Sequence, residues 1–349
     1  MTLTADSRVV VVGAGLGGWR LAEALRREGF AGVITLVGDE PDPPYDRPPL
    51  SKQVLRGDRA LDHVDLATPA KVAEVGVELR LGRRAVGLDV DARAATLEGG
   101  DRVAGDVLVV ATGARARTLD FPGAGVPLTL RSRADAERLV AAAERLEPGS
   151  PVVVIGGGFV GAEVATSLHA RGLAPVVLEA LDHPLVSVLG PTVAEWLAPA
   201  PERAGVELRA GVGVDDVAGG PGDFRVALAD GSELAAPLAV LAVGALPNVE
   251  WLEGTGVRLE RGVVVDARLE AAPGVHALGD VARFPYPGPE GDELVRVEHW
   301  QNAADHAVHL ARVLAVGDTL APVTPYFWSD QYGVKIQLLG HPHPDDEVT

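Results

Sequence analysis

The sequence predicts an α/β protein built on two parallel sheets, and three observations support this. RVVVVGAGLGGWRLAEAL (8–25) and PVVVIGGGFVGAEVATSL (151–168) each join a buried-strand pattern, a G-x-G-x-x-G loop and a helical pattern. A second apolar run follows each helix and ends in an acidic residue. The chain of 349 residues is too long for a single hydrophobic core and suits two or three domains. We therefore expect two Rossmann-like dinucleotide-binding domains.

In the first strand–loop–helix motif, one strand is expected over 8–12 and a second over 33–37. In such a loop the first glycine permits a tight turn, the second lets the backbone approach a pyrophosphate, and the third lets the helix pack on the strand. An acid after the second strand accepts a bond from a ribose hydroxyl. The residues expected to bind this first dinucleotide are Gly13, Gly15, Leu16, Gly17, Gly18, Asp39 and Glu40.

The second unit repeats the pattern, with strands expected over 152–155 and 175–178. Glu179 ends the second of these strands, and a carboxylate there favours ribose hydroxyls and repels a 2′-phosphate. No arginine stands directly beside it, so NADH is favoured over NADPH. The residues expected to bind this second dinucleotide are Gly156, Gly158, Phe159, Val160, Gly161 and Glu179.

One glycine-rich loop alone is weak evidence, because glycine turns also occur in ordinary sheets. Two copies, each with strand, helix and following acid, make that explanation improbable. Two dinucleotide sites in one chain indicate FAD together with a nicotinamide cofactor, since electrons pass from one to the other.

Composition excludes several classes of function. The chain has no cysteine, which removes disulfides, thiolate metal sites and a catalytic disulfide, and we expect no metal site. A formal net charge of −18 disfavours nucleic acid and anionic membranes. We find neither an apolar run long enough to span a bilayer nor a signal-peptide pattern, so a cytoplasmic protein is expected.

Six motifs, in order along nearly the whole chain, resemble the bacterial ferredoxin–NAD(+) reductases of the glutathione-reductase fold, the putidaredoxin reductase-like FAD flavoproteins. The motifs are LVGDEPDPPYDRPPLSK (36–52), ATGARAR (111–117), GGGFVGAEVA (156–165), ALGDVARF (277–284), VEHWQNA (297–303) and YFWSDQYG (326–333). The resemblance implies a reductase that serves P450s or Rieske-type dioxygenases.

The resemblance also implies site residues. Lys52 would lie at the flavin N5 edge, paired with Glu163, and these two are the expected catalytic residues. Asp280 would accept a bond from a ribityl hydroxyl, and a helix from about Asn302 would direct its N-terminus at the flavin pyrimidine. Further cofactor contacts are expected from Arg47, Pro49, Val86, Ala111, Thr112, Gly113, Arg117, Gly244, Val281, Glu298, His299, Trp300 and Trp328.

Some of these residues have a second interpretation. Trp328 either lies beside the flavin or is a plain core tryptophan. His306 and His309 lack metal-ligand spacing, and we interpret them as part of a solvated helical face.

Four segments are expected along the chain. These are 1–115 as the first part of the FAD domain, 116–246 as the NAD domain, 247–320 as the second part of the FAD domain, and 321–349 as the start of a C-terminal interface domain. Residues 218–223 predict a hairpin tip and 285–293 a surface loop. Family members continue past GVKIQLLG (333–340), so we expect an incomplete C-terminal α+β domain, whether truncated, not represented or naturally lost.

The expected reaction moves hydride from NADH to FAD and then electrons singly to an iron–sulfur ferredoxin, which supplies an oxygenase. Arg283, Arg296 and Arg312 are candidate docking cations for an acidic ferredoxin, and the protein is expected to be a monomer or a homodimer. Other possibilities are a reductase for rubredoxin or a small organic acceptor, an NADH-responsive binding or signalling flavoprotein, and a scaffold without FAD. An NADH oxidase or peroxide reductase of this fold is disfavoured, because those enzymes use a cysteine.

Overall fold

The computed structural model describes residues 2–288 and 291–342, which form two compact units. The first unit contains Met1–Asp46, Asp65–Arg115 and Leu246–Phe327; the second contains Arg47–Val64, Ala116–Ala245 and Trp328–Thr349. Residues 47–64 and the segment from Trp328 onward thus group with the second glycine-rich loop, although the predicted boundaries separate them from it. The FAD and NAD domain boundaries themselves stay a prediction.

Seven α-helices lie in the described residues. They are α1 (Leu16–Arg27), α2 (Pro69–Val75), α3 (Arg133–Ala143), α4 (Phe159–Ala170), α5 (Val186–Leu197), α6 (Ala200–Arg203) and α7 (Trp300–Ala315). A single π-helical turn, Leu50–Val54, follows Pro49. Short 3₁₀ turns occupy Leu61–Val64, Glu250–Leu252 and Gly279–Val281.

The strands of the described chain are mostly short. They are β1 (Arg8–Val12), β2 (Val33–Val37), β3 (Glu78–Arg80), β4 (Ala85–Asp89), β5 (Ala94–Leu97), β6 (Arg102–Ala104), β7 (Val107–Val110), β8 (Ala114–Ala116), β9 (Pro151–Ile155), β10 (Ala174–Glu179), β11 (Glu207–Ala210), β12 (Val214–Gly220), β13 (Asp223–Leu228), β14 (Glu233–Ala236), β15 (Leu238–Leu241), β16 (Ala245–Pro247), β17 (Val263–Val264), β18 (Glu270–Ala272), β19 (Val275–Ala277), β20 (Ala282–Gly288), β21 (Gly291–Val295), β22 (Tyr326–Gln331) and β23 (Val334–Leu339).

The first unit is built on a six-stranded sheet with the order β18-β19-β7-β1-β2-β3. All its pairs are parallel except β18 with β19, and β1 and β2 have the bounds that the sequence predicts. Helices α1 and α7 pack together and bury Trp19 and Leu310 completely. Parallel order brings the carboxyl ends of β1, β7 and β19 to one edge, where open α/β sheets bind ligands.

The second unit has a parallel four-stranded sheet of order β11-β10-β9-β15 and an antiparallel sheet β12-β13-β14. Phe224 is fully buried in the core that these sheets share. β12 and β13 pair up to Gly220 and Asp223, which confirms the hairpin tip predicted at 218–223. A second hairpin pairs β22 with β23.

The prediction of a surface loop over 285–293 is wrong, because β20 and β21 pair antiparallel from Phe284↔Val295 to Gly288↔Gly291. Pro285 and Pro287 stand two residues apart in β20, so their missing N–H groups fall on the same edge of the strand. On that side β17 pairs with β20 only at Ala282 and Arg283, so no ladder needs their missing N–H groups. Residues 289 and 290 lie outside the described residues.

Helix α7 also differs from expectation in where it begins and in what it buries. It begins at Trp300 rather than near Asn302. His306 is buried, and His309 is only partly exposed and bonds to the carbonyl oxygen of Ala267 (2.9 Å). The interpretation of both histidines as a solvated face is therefore wrong.

Across residues 2–288 and 291–342, the helices are all too short or too polar to cross a bilayer.

Candidate functional site

The first glycine-rich loop needs glycine at two positions for reasons internal to the chain. A Cβ on Gly13 would stand 2.1 Å from the Ala111 carbonyl oxygen, and one on Gly18 would stand 2.2 Å from that of Gly13. Gly15 differs, because its φ of −93° is open to any residue and a Cβ there would meet nothing within 4 Å. The protein itself leaves this space open, as the close approach of a pyrophosphate requires.

The second loop repeats this division of roles. A Cβ would meet the Ala242 carbonyl oxygen at 2.4 Å on Gly156, and the Gly156 carbonyl oxygen at 2.0 Å on Gly161. Gly158 has a φ of −68° and open space around its missing Cβ. Both loops therefore fit a dinucleotide, and each does so at its middle glycine.

Helices α1 and α4 begin directly at these loops without a side-chain cap or an acidic residue in the first turn. In contrast, Ser132 and Asp135 close a capping box on α3. The first N–H groups of a helix have no partner within it and carry partial positive charge. On α1 and α4 they are left for an anion, so two phosphate sites are available without any cationic side chain.

Backbone N–H groups, including one in the second glycine-rich loop, hold the Glu179 carboxylate in place. One carboxylate oxygen accepts a bond from the Gly157 N–H and the other from the Leu181 N–H, both at 2.9 Å. A carboxylate oxygen has two lone pairs, so each oxygen can still accept a ribose hydroxyl. The carboxylate is thus oriented before any cofactor arrives.

The acids after β2 are held differently. Glu40 accepts a 2.6 Å bond from the Tyr45 hydroxyl. Asp39 forms an ion pair with Arg84 at 3.6 Å, and both side chains are largely exposed. Of the two predicted acids, Glu40 is the one that the chain orients.

The structure brings Lys52 and Glu163 together, as expected. Lys52 lies in the π-helical turn Leu50–Val54, and its Nζ is 2.7 Å from Oε2 of Glu163 on the first turns of α4. Both side chains are largely buried, at 11% and 7% exposure. Burial strengthens the Coulomb attraction between the two charges, because water screens it less.

Thr112 and Gly113 are anchored by a residue that sequence reasoning did not assign to the site, Asn248. The Thr112 hydroxyl donates to the Asn248 carbonyl oxygen, and the Asn248 amide donates to the Thr112 carbonyl oxygen, both at 2.8 Å. The Asn248 N–H also donates to the Gly113 carbonyl oxygen (3.0 Å). Only the nearby turn signal in ALPN pointed to this residue.

Asp280 lies in the 3₁₀ turn that follows β19, and His306 supports that turn. Gly279 has a φ of +72°, and its N–H donates to Nδ1 of His306 (3.3 Å). Burial, with a smaller effect from His309, lowers the pKa of His306 to about 3. The imidazole is therefore neutral and remains an acceptor for this turn.

The N-terminus of α7 carries the expected residues Glu298, His299 and Trp300. His299 is the N-cap residue without a side-chain cap bond, and its ring lies 5.0 Å from that of Phe327. The Trp300 indole donates to the Asp46 carboxylate (2.6 Å), which ties the start of this helix to the segment that follows β2. Glu298 is ion-paired with Arg296.

The remaining predicted residues vary in their surroundings. Arg47 donates to the Arg131 carbonyl oxygen (2.7 Å), and the Arg117 N–H donates to that of Gly244 (2.9 Å). Val86 on β4 is 51% exposed. Residues that fall at the loops and turns already described are Leu16, Gly17, Pro49, Ala111 and Val281, and Trp328 lies half-buried in β22.

The candidate docking arginines are all engaged with acids. Arg283 pairs with Glu260 (3.0 Å), Arg296 with Glu298, and Arg312 with Glu28 (3.4 Å). Their positive charge is therefore largely neutralised locally, which weakens the idea that they form a docking patch.

The structure has two glycine-rich loops that can bind a pyrophosphate, each with an acidic residue at or just after the end of the next strand. This arrangement is typical of an oxidoreductase that uses two dinucleotides. Residues 7–307 match the family described as pyridine nucleotide-disulphide oxidoreductase, and residues 326–349 match the reductase C-terminal domain. The chain therefore belongs to the pyridine nucleotide-disulphide oxidoreductase family. FAD and NADH are the cofactors of its ferredoxin–NAD(+) reductases, so both predicted cofactors are confirmed, as are the fold class and the family resemblance.

Individual relatives agree with this assignment. Rhodocoxin reductase of Rhodococcus erythropolis is 37% identical over 336 residues, which cover 95% of this chain and 78% of that protein. The ferredoxin–NAD(+) reductase component of a Pseudomonas putida p-cumate 2,3-dioxygenase system is 38% identical, covering 96% and 81%. The solved covalent complex of putidaredoxin reductase with putidaredoxin matches with a TM-score of 0.88 at 31% identity, covering 97% and 82%.

Two absences qualify the site. The chain has no cysteine, so it cannot itself carry the disulphide chemistry that the family's description mentions. Among the described residues, no group of three or more histidine and acidic side chains is arranged to hold a metal ion.

The contrast within each glycine loop predicts opposite effects of alanine. Gly15→Ala should weaken FAD binding at least about tenfold and leave the stability of the FAD-free chain equal or about 0.4–1 kcal/mol higher, because the backbone there suits alanine. Gly18→Ala should lower that stability by more than about 1 kcal/mol, because its Cβ would meet a carbonyl oxygen. FAD titration and urea unfolding measure both. Wild-type FAD affinity in Gly15→Ala would contradict the phosphate assignment.

His306 predicts an acid-dependent loss of stability. Its pKa of about 3 lies below the 6.5 of an unperturbed histidine, so below pH 6.5 the unfolded chain binds one more proton than the folded chain. Stability is then fully present above pH 6.5 and falls by about 1.4 kcal/mol per pH unit towards pH 3. Between pH 7 and pH 5 the wild type should lose about 2 kcal/mol more than His306→Gln in urea unfolding. The exposed His63→Gln is the control, and parallel losses in all three proteins would contradict this account.

Proposed function

We propose that this chain is an NADH-dependent FAD reductase that passes electrons singly to an iron–sulfur ferredoxin, which supplies a P450 or Rieske-type oxygenase. The observation that carries the proposal is the pair of open glycine cradles, each at the N-terminus of a helix without a side-chain cap. The names of its relatives, which include a ferredoxin–NAD(+) reductase component and rhodocoxin reductase, support the choice of acceptor.

Bound FAD supplies a group that accepts two electrons from NADH and releases them one at a time. The chain's own residues bind and orient the two dinucleotides. We assign the first helical N–H groups of α1 to the FAD pyrophosphate and those of α4 to the NADH pyrophosphate. Asp280 accepts a bond from a ribityl hydroxyl, and the N-terminus of α7 offers partial positive charge to the pyrimidine.

Lys52 is assigned to the flavin N5 edge, where its ammonium group offers fixed positive charge. The ion pair with Glu163 supports this role, because the carboxylate holds an otherwise flexible side chain in one position. Because Glu163 balances the charge of Lys52, the ammonium acts as the positive end of a buried ion pair, which water screens less than an exposed one.

Glu179 is assigned the selection of NADH over NADPH. Its two backbone bonds prevent the carboxylate from turning away, so a 2′-phosphate would stand against a fixed negative charge. We place the enzyme in the cytoplasm, where NADH is available, acting as a monomer or a homodimer.

The reaction is tested by visible spectroscopy of the purified chain under anaerobic conditions. We expect a flavin spectrum that bleaches when NADH is added and returns when an oxidised ferredoxin is added. A chain that cannot be loaded with FAD would contradict the proposal at its first step. Bleaching by NADH without reoxidation by any ferredoxin would instead favour a small organic acceptor or an NADH-responsive binding role.

Glu179→Gln should narrow the preference for NADH over NADPH by about tenfold or more, because it removes the charge that opposes the 2′-phosphate. The measurement is kcat/KM for both nucleotides with a small dye as acceptor. Glu207→Ala is the control. Glu207 is an exposed acid on the neighbouring strand β11, three residues before Ala210, which is the residue that pairs with Glu179. An unchanged preference in Glu179→Gln would show that another residue selects the nucleotide.

A further inference from the structure

The carboxylate of Glu163 is the centre of a buried hydrogen-bond network that extends beyond Lys52. Oε2 accepts bonds from the Lys52 ammonium (2.7 Å) and the Ser51 hydroxyl (2.6 Å). Oε1 accepts a bond from the Ser329 hydroxyl (2.6 Å). In the described part of the chain these are all the donors that this carboxylate has, and the residue is only 6% exposed.

The direction of each bond follows from the chemistry of the groups. An ionised carboxylate only accepts, so the single hydroxyl hydrogen of Ser329 points at Glu163. The Gln331 amide then donates to the Ser329 oxygen (3.2 Å), which makes a chain from Gln331 through Ser329 to Glu163. Ser329 is fully buried, so water cannot replace its hydroxyl without a rearrangement.

The same network joins two segments that are far apart in sequence. Ser51 and Lys52 are consecutive in the π-helical turn, and the Ser167 hydroxyl on α4 anchors that turn through the Ser51 carbonyl oxygen (2.6 Å). On the opposite side, the Tyr332 N–H of the β22–β23 turn donates to Thr166 of α4 (2.9 Å). Glu163 and Thr166 are three residues apart and lie on one face of the helix. The β22–β23 hairpin is thus attached to α4 at Glu163, through Ser329, and at Thr166, through Tyr332.

We propose that Ser329, supported by Gln331, is a positioning residue that sets the orientation of Glu163 and thereby holds Lys52 in place. One Glu163 oxygen is occupied from the hairpin side, which turns the other towards Lys52. The hairpin therefore influences the redox site through the carboxylate of Glu163. The consequence for electron transfer rests on the proposed function, whereas the positioning of Lys52 does not.

The chain offers an unusually direct test, because Lys52, Lys71 and Lys335 are its only lysines. Lys71 and Lys335 are exposed and serve as internal references. Acylation of the intact FAD-loaded protein by a water-soluble ester, followed by peptide mass spectrometry, gives the rate at Lys52 relative to Lys71. An ammonium group must leave its carboxylate and lose its proton before it can react, so this ratio reports how firmly Glu163 holds Lys52.

We expect Ser329→Ala to raise the Lys52:Lys71 ratio by about tenfold, as loss of a bond to a charged group implies. Ser329→Thr keeps the hydroxyl and should restore most of the protection. In a Glu163→Gln background, Ser329→Ala should add little, because it acts only through that carboxylate. Ser232→Ala is the matched control: it also removes a 2.6 Å hydroxyl–carboxylate bond, but at an exposed turn with Asp230.

A Lys52:Lys71 ratio in Ser329→Ala equal to that of the wild type or of Ser232→Ala would overturn the proposal, as would stronger protection of Lys52. Additive effects of Ser329→Ala and Glu163→Gln would overturn it too. If Ser329→Ala does not fold, Gln331→Leu tests the same chain of bonds, with a smaller increase expected and an unchanged ratio counting against it.

Failure of the proposed function has a separate signature. Lys52→Met that bleaches with NADH at the wild-type rate would remove Lys52 from the redox role. The acylation ratio would still decide whether Ser329 positions it.

Discussion

The close approach of each glycine-rich loop to a neighbouring strand end is the constraint on which both units depend. In the first unit Gly13 lies against Ala111 after β7, and in the second Gly156 lies against Ala242 after β15. Neither position leaves room for a Cβ, so the loop is pressed onto the carboxyl edge of the sheet and the helix starts directly above it. This fixes where the uncapped N–H groups are, and with them the places where pyrophosphates can bind.

In a chain of net charge −18, the uncapped N-termini of α1 and α4 offer backbone N–H groups to an anion. Three acids of the proposed sites follow a related principle, because donors of the protein orient them. Glu179 is held by two N–H groups, Glu40 by Tyr45, and Glu163 by Lys52 and two serines. Because these side chains are already oriented, less conformational entropy is lost when the ligand binds.

Much of the fold and of the candidate site could be predicted from the sequence, because strand, loop and helix patterns are local. β1 and β2 have their predicted bounds, and the pairing of Lys52 with Glu163 followed from the family resemblance. The residues that support the site were not predicted. Asn248 reaches Thr112 across 136 positions, and Ser329 reaches Glu163 across 166. A lone asparagine or serine carries no periodic signal of its partner, so no local pattern could identify these contacts.

The sequence by itself determined the two cradles, their cofactors and the acids that follow them, because spacing within one strand–loop–helix unit dictates that chemistry. Only the tertiary structure decided which polar groups meet. It turned the predicted loop at 285–293 into paired strands, and it buried His306 beneath the Asp280 turn. It also engaged the candidate docking arginines with acids. In each case the deciding partner comes from another part of the chain, and burial rather than local propensity determines the result.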